Sequence, residues 1–208
     1  MTPVKCFYLE DAGRINRYLR RYHDGPCPAP WTAFGGMTFL DCVPHAPGTY
    51  IQLEDKPIDL VPKTDPRWPK VCECGREFTL EDHWQIFVDS VYVRQDTGEE
   101  VSTRNAPPGA IWNAWWYSEC FKGADGRSLV VVCPDGHEWL IDSRASNCTA
   151  PTDNDHRCWI RHGEPPNLTV DKVAGTPDAS AKTTCSAGGG SIQTPKWHGF
   201  LRNGFLVE

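Results

Sequence analysis

The sequence predicts an α+β fold that is predominantly β, with short antiparallel hairpins and long ordered loops stapled by zinc. Gly and Pro occur 18 times each in 208 residues, which is typical of frequent turns. Nine Trp and eight Phe, in a chain that is 39% hydrophobic, provide material for a core. Ten cysteines, some of them close to another cysteine or a histidine, indicate metal binding rather than disulfides, because no secretory signal is evident.

The first elements lie near the N-terminus. Residues 4–9 alternate weakly and predict an edge strand, and Asp11 can cap a short helix that ends at about Tyr22. One face of this helix would be apolar, and the other would carry arginines: Arg14, Arg17, Arg20 and Arg21. A charged helix face is usually just solvated, but Arg14, Arg17 and Arg21 are the candidate binding residues if it contacts a partner.

Most of the remaining elements are predicted as strands. Two single strands are expected at residues 37–42 and 50–53, and Thr79 with Asp82 suggests a brief helical turn. Four hairpins are predicted: residues 84–93 with 99–103, 128–133 with 137–142, 158–161 with 168–170, and 197–201 with 205–207 around Asn203-Gly204. The spacing of Ile111, Trp112, Trp115 and Trp116 predicts one buried helical face. We expect an N-terminal region 1–104 and a C-terminal region 105–208, which can also form one continuous domain.

The first candidate zinc site combines two short pairs. Cys72-x-Cys74-Gly75 forms a tight turn whose glycine lets backbone N–H groups approach sulfur, and His23-x-x-x-Cys27 supplies a second pair. His83 and Cys42 are the nearest competitors for a place in this set of four. The alternative is that Cys72 and Cys74 are ordinary thiols and His23 is solvated.

A second candidate site lies in the C-terminal half. Cys148, Cys158, Cys185 and His198 can form a Cys3His site that ties a polar loop, an Ala/Gly-rich stretch and the last hairpin together. The spacings are irregular, and buried structural cysteines are the alternative. The expected cofactor is therefore one or two Zn²⁺ ions.

The sequence favours a non-enzymatic protein. A thiol nucleophile can be written from Cys158, His162 and Asp171, but their spacing does not select it, and no known nucleophile or phosphate motif is present. The net charge of -6 disfavours general nucleic-acid binding, although a local basic patch remains compatible with it. No signal peptide or stretch of about 18 apolar residues is found, so neither export nor a membrane is expected.

Several short motifs are spread along most of the chain: RRYH at 20–23, Cys72-x-Cys74-Gly75, PPGA at 107–110, DGRSLVV at 125–131, DSRASNC at 142–148, HRCWIRHGEPP at 156–166 and WHGFLRNG at 197–204. Together they resemble an uncharacterised family encoded by tailed bacteriophages and prophages. The C-terminal end is also similar to a broader family of zinc-ligand-bearing domains of unknown function. Members place a cysteine just before the histidine, where this chain has Trp197 or Lys196, so that resemblance implies that Cys185 supplies the thiolate.

The resemblance implies a phage accessory role. We expect a virion-associated capsid or tail protein whose partners are other virion proteins, docked through an exposed aromatic or apolar patch. The alternative is an intracellular protein that binds a host protein, and a zinc- or cysteine-dependent hydrolase is a more remote one. The expected location is the virion or the host cytoplasm, and the oligomeric state stays open.

Overall fold

The computed structural model describes residues 2–24, 35–49, 61–148, 152–153, 156–171, 183–184 and 191–208. The chain forms two compact units: a central unit, Asp11–Val91, and a terminal unit, Met1–Glu10 together with Tyr92–Glu208. This division differs from the sequence-based one at residue 104. The first ten residues belong to the terminal unit because Phe7 and Tyr8 pair in parallel with Ala110 and Ile111.

The described residues form strands and turns, and none of them lies in an α-helix, which confirms the predominantly β prediction. The strands are β1 (Val4–Lys5), β2 (Phe7–Tyr22), β3 (Gly36–Pro44), β4 (His83–Arg94), β5 (Glu100–Ser102), β6 (Ala110–Asn113), β7 (Leu129–Val132), β8 (Glu138–Leu140), β9 (His156–Arg157), β10 (Ile160–His162), β11 (Thr169–Asp171), β12 (Thr183–Thr184), β13 (Ile192–Gln193), β14 (His198–Arg202) and β15 (Phe205–Val207). Two 3-10 turns cover Thr103–Asn105 and Glu119–Phe121. No helix long and apolar enough to span a membrane occurs among these residues.

The helix predicted after Asp11 is wrong, because this segment belongs to the 16-residue strand β2. Its central-unit part pairs antiparallel with β3, from Arg14 opposite Pro44 to Arg21 opposite Gly36. Ile15 and Leu19 are both 1% exposed. A spacing of four residues returns to the same face in a helix and, being even, also in a strand, so the apolar pattern fits both.

The helix predicted around Trp112 is also wrong. Ile111 and Trp112 are buried in strand β6, which pairs antiparallel with β7. The chain turns after Ala114, and Trp116 is 42% exposed. The interpretation of all four apolar side chains as one buried face therefore fails at Trp116.

The predicted hairpins are confirmed. Strands β4 and β5 are neighbours, β7 pairs with β8, and β10 pairs with β11. In the last hairpin, β14 pairs with β15 around Asn203 and Gly204, whose φ angles are 48° and 75°. Positive φ at both positions is what this tight turn requires.

The other local predictions have mixed outcomes. The strand expected at residues 37–42 is found within β3, whereas the one at 50–53 lies outside the described residues. The Asp82 carboxylate accepts a hydrogen bond from the Thr79 N–H at 2.6 Å, but a turn follows rather than a helix.

Each unit has its own core. In the central unit Leu19, Val61, Trp68 and Ile86 pack together. In the terminal unit the largest cluster covers the inner faces of β7 and of the last hairpin, including Val131, Leu201 and Leu206. The candidate metal centre lies in the central unit, the smaller of the two.

Candidate metal centre

A tight turn at residues 72–76 presents two cysteines. The N–H of Cys72 donates to the carbonyl of Arg76 at 2.8 Å, and the N–H of Gly75 donates to the carbonyl of Cys72 at 2.8 Å. Gly75 has a φ of 89°, which a residue with a side chain adopts only at a cost. The turn is closed below by a bridge between Val71 and Glu77. The backbone therefore holds the two cysteines within one turn.

His23 completes a group of three possible ligands. It directly follows β2, and its ring nitrogen and the two sulfur atoms of Cys72 and Cys74 all lie within 4.8 Å of one another. The Nε2 of His23 is 3.4 Å from the Sγ of Cys74. Cys72 is buried and the other two are partly exposed. Two thiolates and an imidazole are suitable ligands for zinc, so this group can hold a metal ion.

The orientation of the His23 ring is set by its second nitrogen. Nδ1 is 3.1 Å from the carbonyl oxygen of Asp24, to which the ring donates in the tautomer that leaves Nε2 free for the sulfur atoms. Contact with Phe78, at 6.3 Å between ring centroids, supports the ring from one side. The hydrogen bond with Cys74, followed by the one with the Asp24 carbonyl, raises the pKa of His23.

Charged side chains surround the group without joining it. Arg76 forms an ion pair with Asp82 at 3.2 Å and approaches the Asp24 carbonyl at 3.4 Å. The Nε2 of His83, a competitor in the sequence prediction, is 3.1 Å from the Asp24 carboxylate. His83 thus contacts the residue that orients His23 rather than the sulfur atoms.

The fourth predicted ligand of this site, Cys27, lies outside the described residues, and so does Cys185 of the second candidate site. Of the remaining members of that second set, Cys158 is fully buried, and Cys148 packs against the same core. His198 is exposed, with its ring 6.4 Å from that of Phe200. Within the described part of the chain, the only group of three possible ligands is that of His23, Cys72 and Cys74.

The candidate binding arginines lie on strand β2, and two of them make strong contacts inside the central unit. Arg17 donates two hydrogen bonds to the Asp41 carboxylate on β3, at 2.7 and 2.6 Å. Arg21 donates to the carbonyls of Pro69 and Thr79, at 3.0 and 2.6 Å. These contacts give Arg17 and Arg21 a structural role.

Part of the alternative thiol constellation exists. His162 Nε2 lies 3.1 Å from the Asp171 carboxylate, across the β10–β11 pair. The third member, Cys158, has no exposed surface. A nucleophile must reach its substrate, so this burial disfavours thiol catalysis here.

A row of aromatic side chains was not recognised as a surface feature from the sequence. Trp115, Trp116, Tyr117 and Phe121 contact one another in succession, with ring centroids 5.8, 6.1 and 6.0 Å apart. Trp116 is 42% and Tyr117 37% exposed. We call these four residues the aromatic row. The sequence signal that could have revealed this row is the density of aromatic residues just beyond the end of a strand.

Comparison with known proteins returned no match, whether to protein-family models, curated proteins or solved structures.

Proposed function

We propose that this protein is a zinc-stabilised, non-enzymatic accessory protein of a tailed phage, associated with the virion. The observation that supports the zinc part is the convergence of His23, Cys72 and Cys74. A fourth protein ligand would close the site, as in structural zinc sites, and the ion would then act on the fold and not on a substrate.

Cys27 is the proposed fourth ligand. It follows His23 by four residues, and a fourth thiolate would give a Cys3His set. We propose one zinc ion at this site. A second ion would need Cys148, Cys158, Cys185 and His198, and the exposure of His198 does not favour that set.

The aromatic row is the proposed docking surface for another virion protein. Trp and Tyr are enriched where protein interfaces release most free energy, because they bury a large area with few rotatable bonds. The phage role itself is supported by the sequence resemblance, and the full burial of Cys158 argues against the thiol nucleophile written from Cys158, His162 and Asp171.

Native mass spectrometry of protein made under reducing conditions tests the metal. We expect one zinc ion per chain, lost on treatment with a chelator together with a fall in melting temperature. Protein that is folded, free of metal and unaffected by the chelator would contradict the proposal.

Mass spectrometry of purified phage particles tests the location. We expect a fixed copy number per particle that falls when Trp116 and Tyr117 are both changed to Ala. Phe39→Ala, at an exposed aromatic residue of the central unit, is the matched control and should leave the copy number unchanged. A protein absent from particles and present in the host cytoplasm would instead support the intracellular binding role.

A further inference from the structure

The central unit contains a cavity of about 390 Å³ beside the turn that carries Cys72 and Cys74. Its lining includes Arg21, Lys63, Trp68, Lys70, Leu80 and Trp84. This volume lies within the range of about 300–1,000 Å³ that small-molecule sites occupy in proteins. The cavity is therefore large enough for a single aromatic ring and its substituent.

Two indole rings supply the apolar walls. Trp68 and Trp84 meet edge to face, with ring centroids 5.7 Å apart and an interplanar angle of 73°. Trp68 is held in place by a hydrogen bond from its indole N–H to the Pro62 carbonyl. Leu80, which is 90% exposed, adds an apolar side chain that is almost fully accessible to a ligand. These surfaces suit a flat apolar group.

The two carboxylates of the lining each form an ion pair with an arginine that does not line the cavity. Asp65 forms an ion pair with Arg67 at 2.8 Å. Asp82 forms one with Arg76 at 3.2 Å and also accepts the Thr79 N–H. Each carboxylate thus has an arginine partner outside the lining, although the charge of Asp82 also acts on Arg21.

The three cations of the lining retain their charge. Arg21 donates its hydrogen bonds to carbonyl oxygens, and its Nε is buried without an acceptor. Lys63 and Lys70 are exposed, and neither forms an ion pair with any residue that the structure describes. Among the residues that the structure describes, the two lysines thus bring positive charge to the cavity of a chain whose net charge is -6.

We infer that this cavity binds an aromatic carboxylate, with the ring between Trp68 and Leu80 and the carboxylate towards Lys63 and Lys70. The same chemistry occurs in a free aromatic acid and in a peptide that ends in phenylalanine. This inference goes beyond the proposed function and does not depend on the virion role.

Three probes of one shape test the charge requirement: phenylacetate, neutral phenylacetamide and cationic phenethylamine. They are titrated into zinc-loaded, ¹⁵N-labelled protein while the indole N–H signals are followed by NMR. The spectra of Trp68→Phe and Trp84→Phe identify which signal belongs to which tryptophan. We expect phenylacetate to shift both signals and to bind about tenfold more tightly than the amide, because a charge-assisted contact is lost in the amide. Phenethylamine should not bind.

Matched lysine variants test where the carboxylate of the ligand binds. The double variant Lys63→Gln, Lys70→Gln should weaken phenylacetate binding about tenfold. Lys5→Gln with Lys196→Gln, two exposed lysines of the terminal unit, should leave it unchanged. Equal affinity for the three probes, or full phenylacetate affinity in the cavity variant, would overturn the inference.

Comparison of phenylacetate with a short peptide distinguishes the two sources of the carboxylate, a free aromatic acid and a peptide chain end. An acetylated Gly-Gly-Phe peptide with a free carboxylate should bind more tightly than phenylacetate if the site takes a chain end, and more weakly if it takes a free acid. The zinc content of every sample is measured first, so failure of the cavity and failure of the metal centre are separately visible.

Discussion

Two turns of this protein share one backbone conformation and differ in what they hold. In residues 72–76 and in residues 133–137, the first N–H donates to the fifth carbonyl at 2.8 Å. The fourth N–H donates to the first carbonyl, at 2.8 and 2.9 Å. The fourth residue is a glycine with positive φ in both, Gly75 at 89° and Gly136 at 82°.

The third position distinguishes the two turns. Cys74 lies against His23, whereas Asp135 accepts hydrogen bonds from the Thr194 hydroxyl at 2.6 Å and the Lys196 N–H at 3.1 Å. Burial raises the pKa of Cys133, at the first position, to about 12, so that thiol stays protonated. The same turn can thus present a metal ligand pair or a carboxylate that ties down a neighbouring segment.

The largest expected effect is loss of the metal at the first turn. Cys72→Ser or Cys74→Ser should abolish zinc binding and lower the free energy of unfolding by about 3 kcal/mol or more, because the binding energy contributes to folding. Cys133→Ser should keep the zinc and cost about 1–3 kcal/mol for its buried hydroxyl. Urea unfolding and a zinc count on each variant measure this.

A chelator sharpens that contrast. It should lower the melting temperature of the wild type and of Cys133→Ser, and leave that of Cys72→Ser unchanged. Equal sensitivity of all three would mean that Cys72 is not a ligand.

The next effect concerns the carboxylate of the second turn. Asp135→Ala leaves the Lys196 N–H without its acceptor and the Thr194 hydroxyl with only the Trp197 carbonyl, at 3.1 Å, so we expect a loss of about 1–3 kcal/mol with zinc content unchanged. Hydrogen exchange should become faster at residues 194–197. Protection there equal to that of the wild type would contradict this role of Asp135.

A smaller effect is expected in acid. Burial, the largest influence, tends to raise the pKa of Asp135, but hydrogen bonds from Thr194 and from the N–H groups of Lys196 and His137 outweigh it and lower the pKa. A lowered pKa in the folded state contributes stability above the unfolded value, and this is lost as pH falls through the folded value, below about pH 4.

Asp135→Asn does not titrate and provides the reference. The difference in unfolding free energy between wild type and Asp135→Asn should shrink from pH 7 to pH 3. Both proteins carry zinc, so the effect of zinc loss in acid cancels in this difference. A difference that stays constant over this range would show that Asp135 does not gain stability from ionisation.

The smallest effect is expected at His198. Its exposed ring lies on the outer face of the last hairpin, so His198→Ala should cost less than about 0.5 kcal/mol and leave the zinc count unchanged. Release of a zinc ion, with new protease cleavage after residue 174, would instead restore the second metal site. Limited proteolysis with a zinc count decides between the two.

Local signals predicted the hairpins because each depends on residues close in the chain. Asn203-Gly204 specifies a turn with positive φ at both positions, and alternating apolar residues on either side specify the strands. The helix at 11–22 was mispredicted for the same local reason. The spacing of Ile15 and Leu19 fits the repeat of a helix and that of a strand. Pairing with β3, which exists only in the folded chain, selects the strand.

The Cys72-x-Cys74-Gly75 motif and its glycine were evident from the sequence by itself, because a thiol pair at that spacing requires a tight turn. Whether the pair can hold a metal depends on His23, which lies 51 residues from Cys74 in the chain. The end of β2 brings its ring to the sulfur atoms, and local pattern cannot specify that approach. Tertiary structure likewise decided that Cys158 is buried and that Trp116 is exposed, because burial depends on which strands pack together.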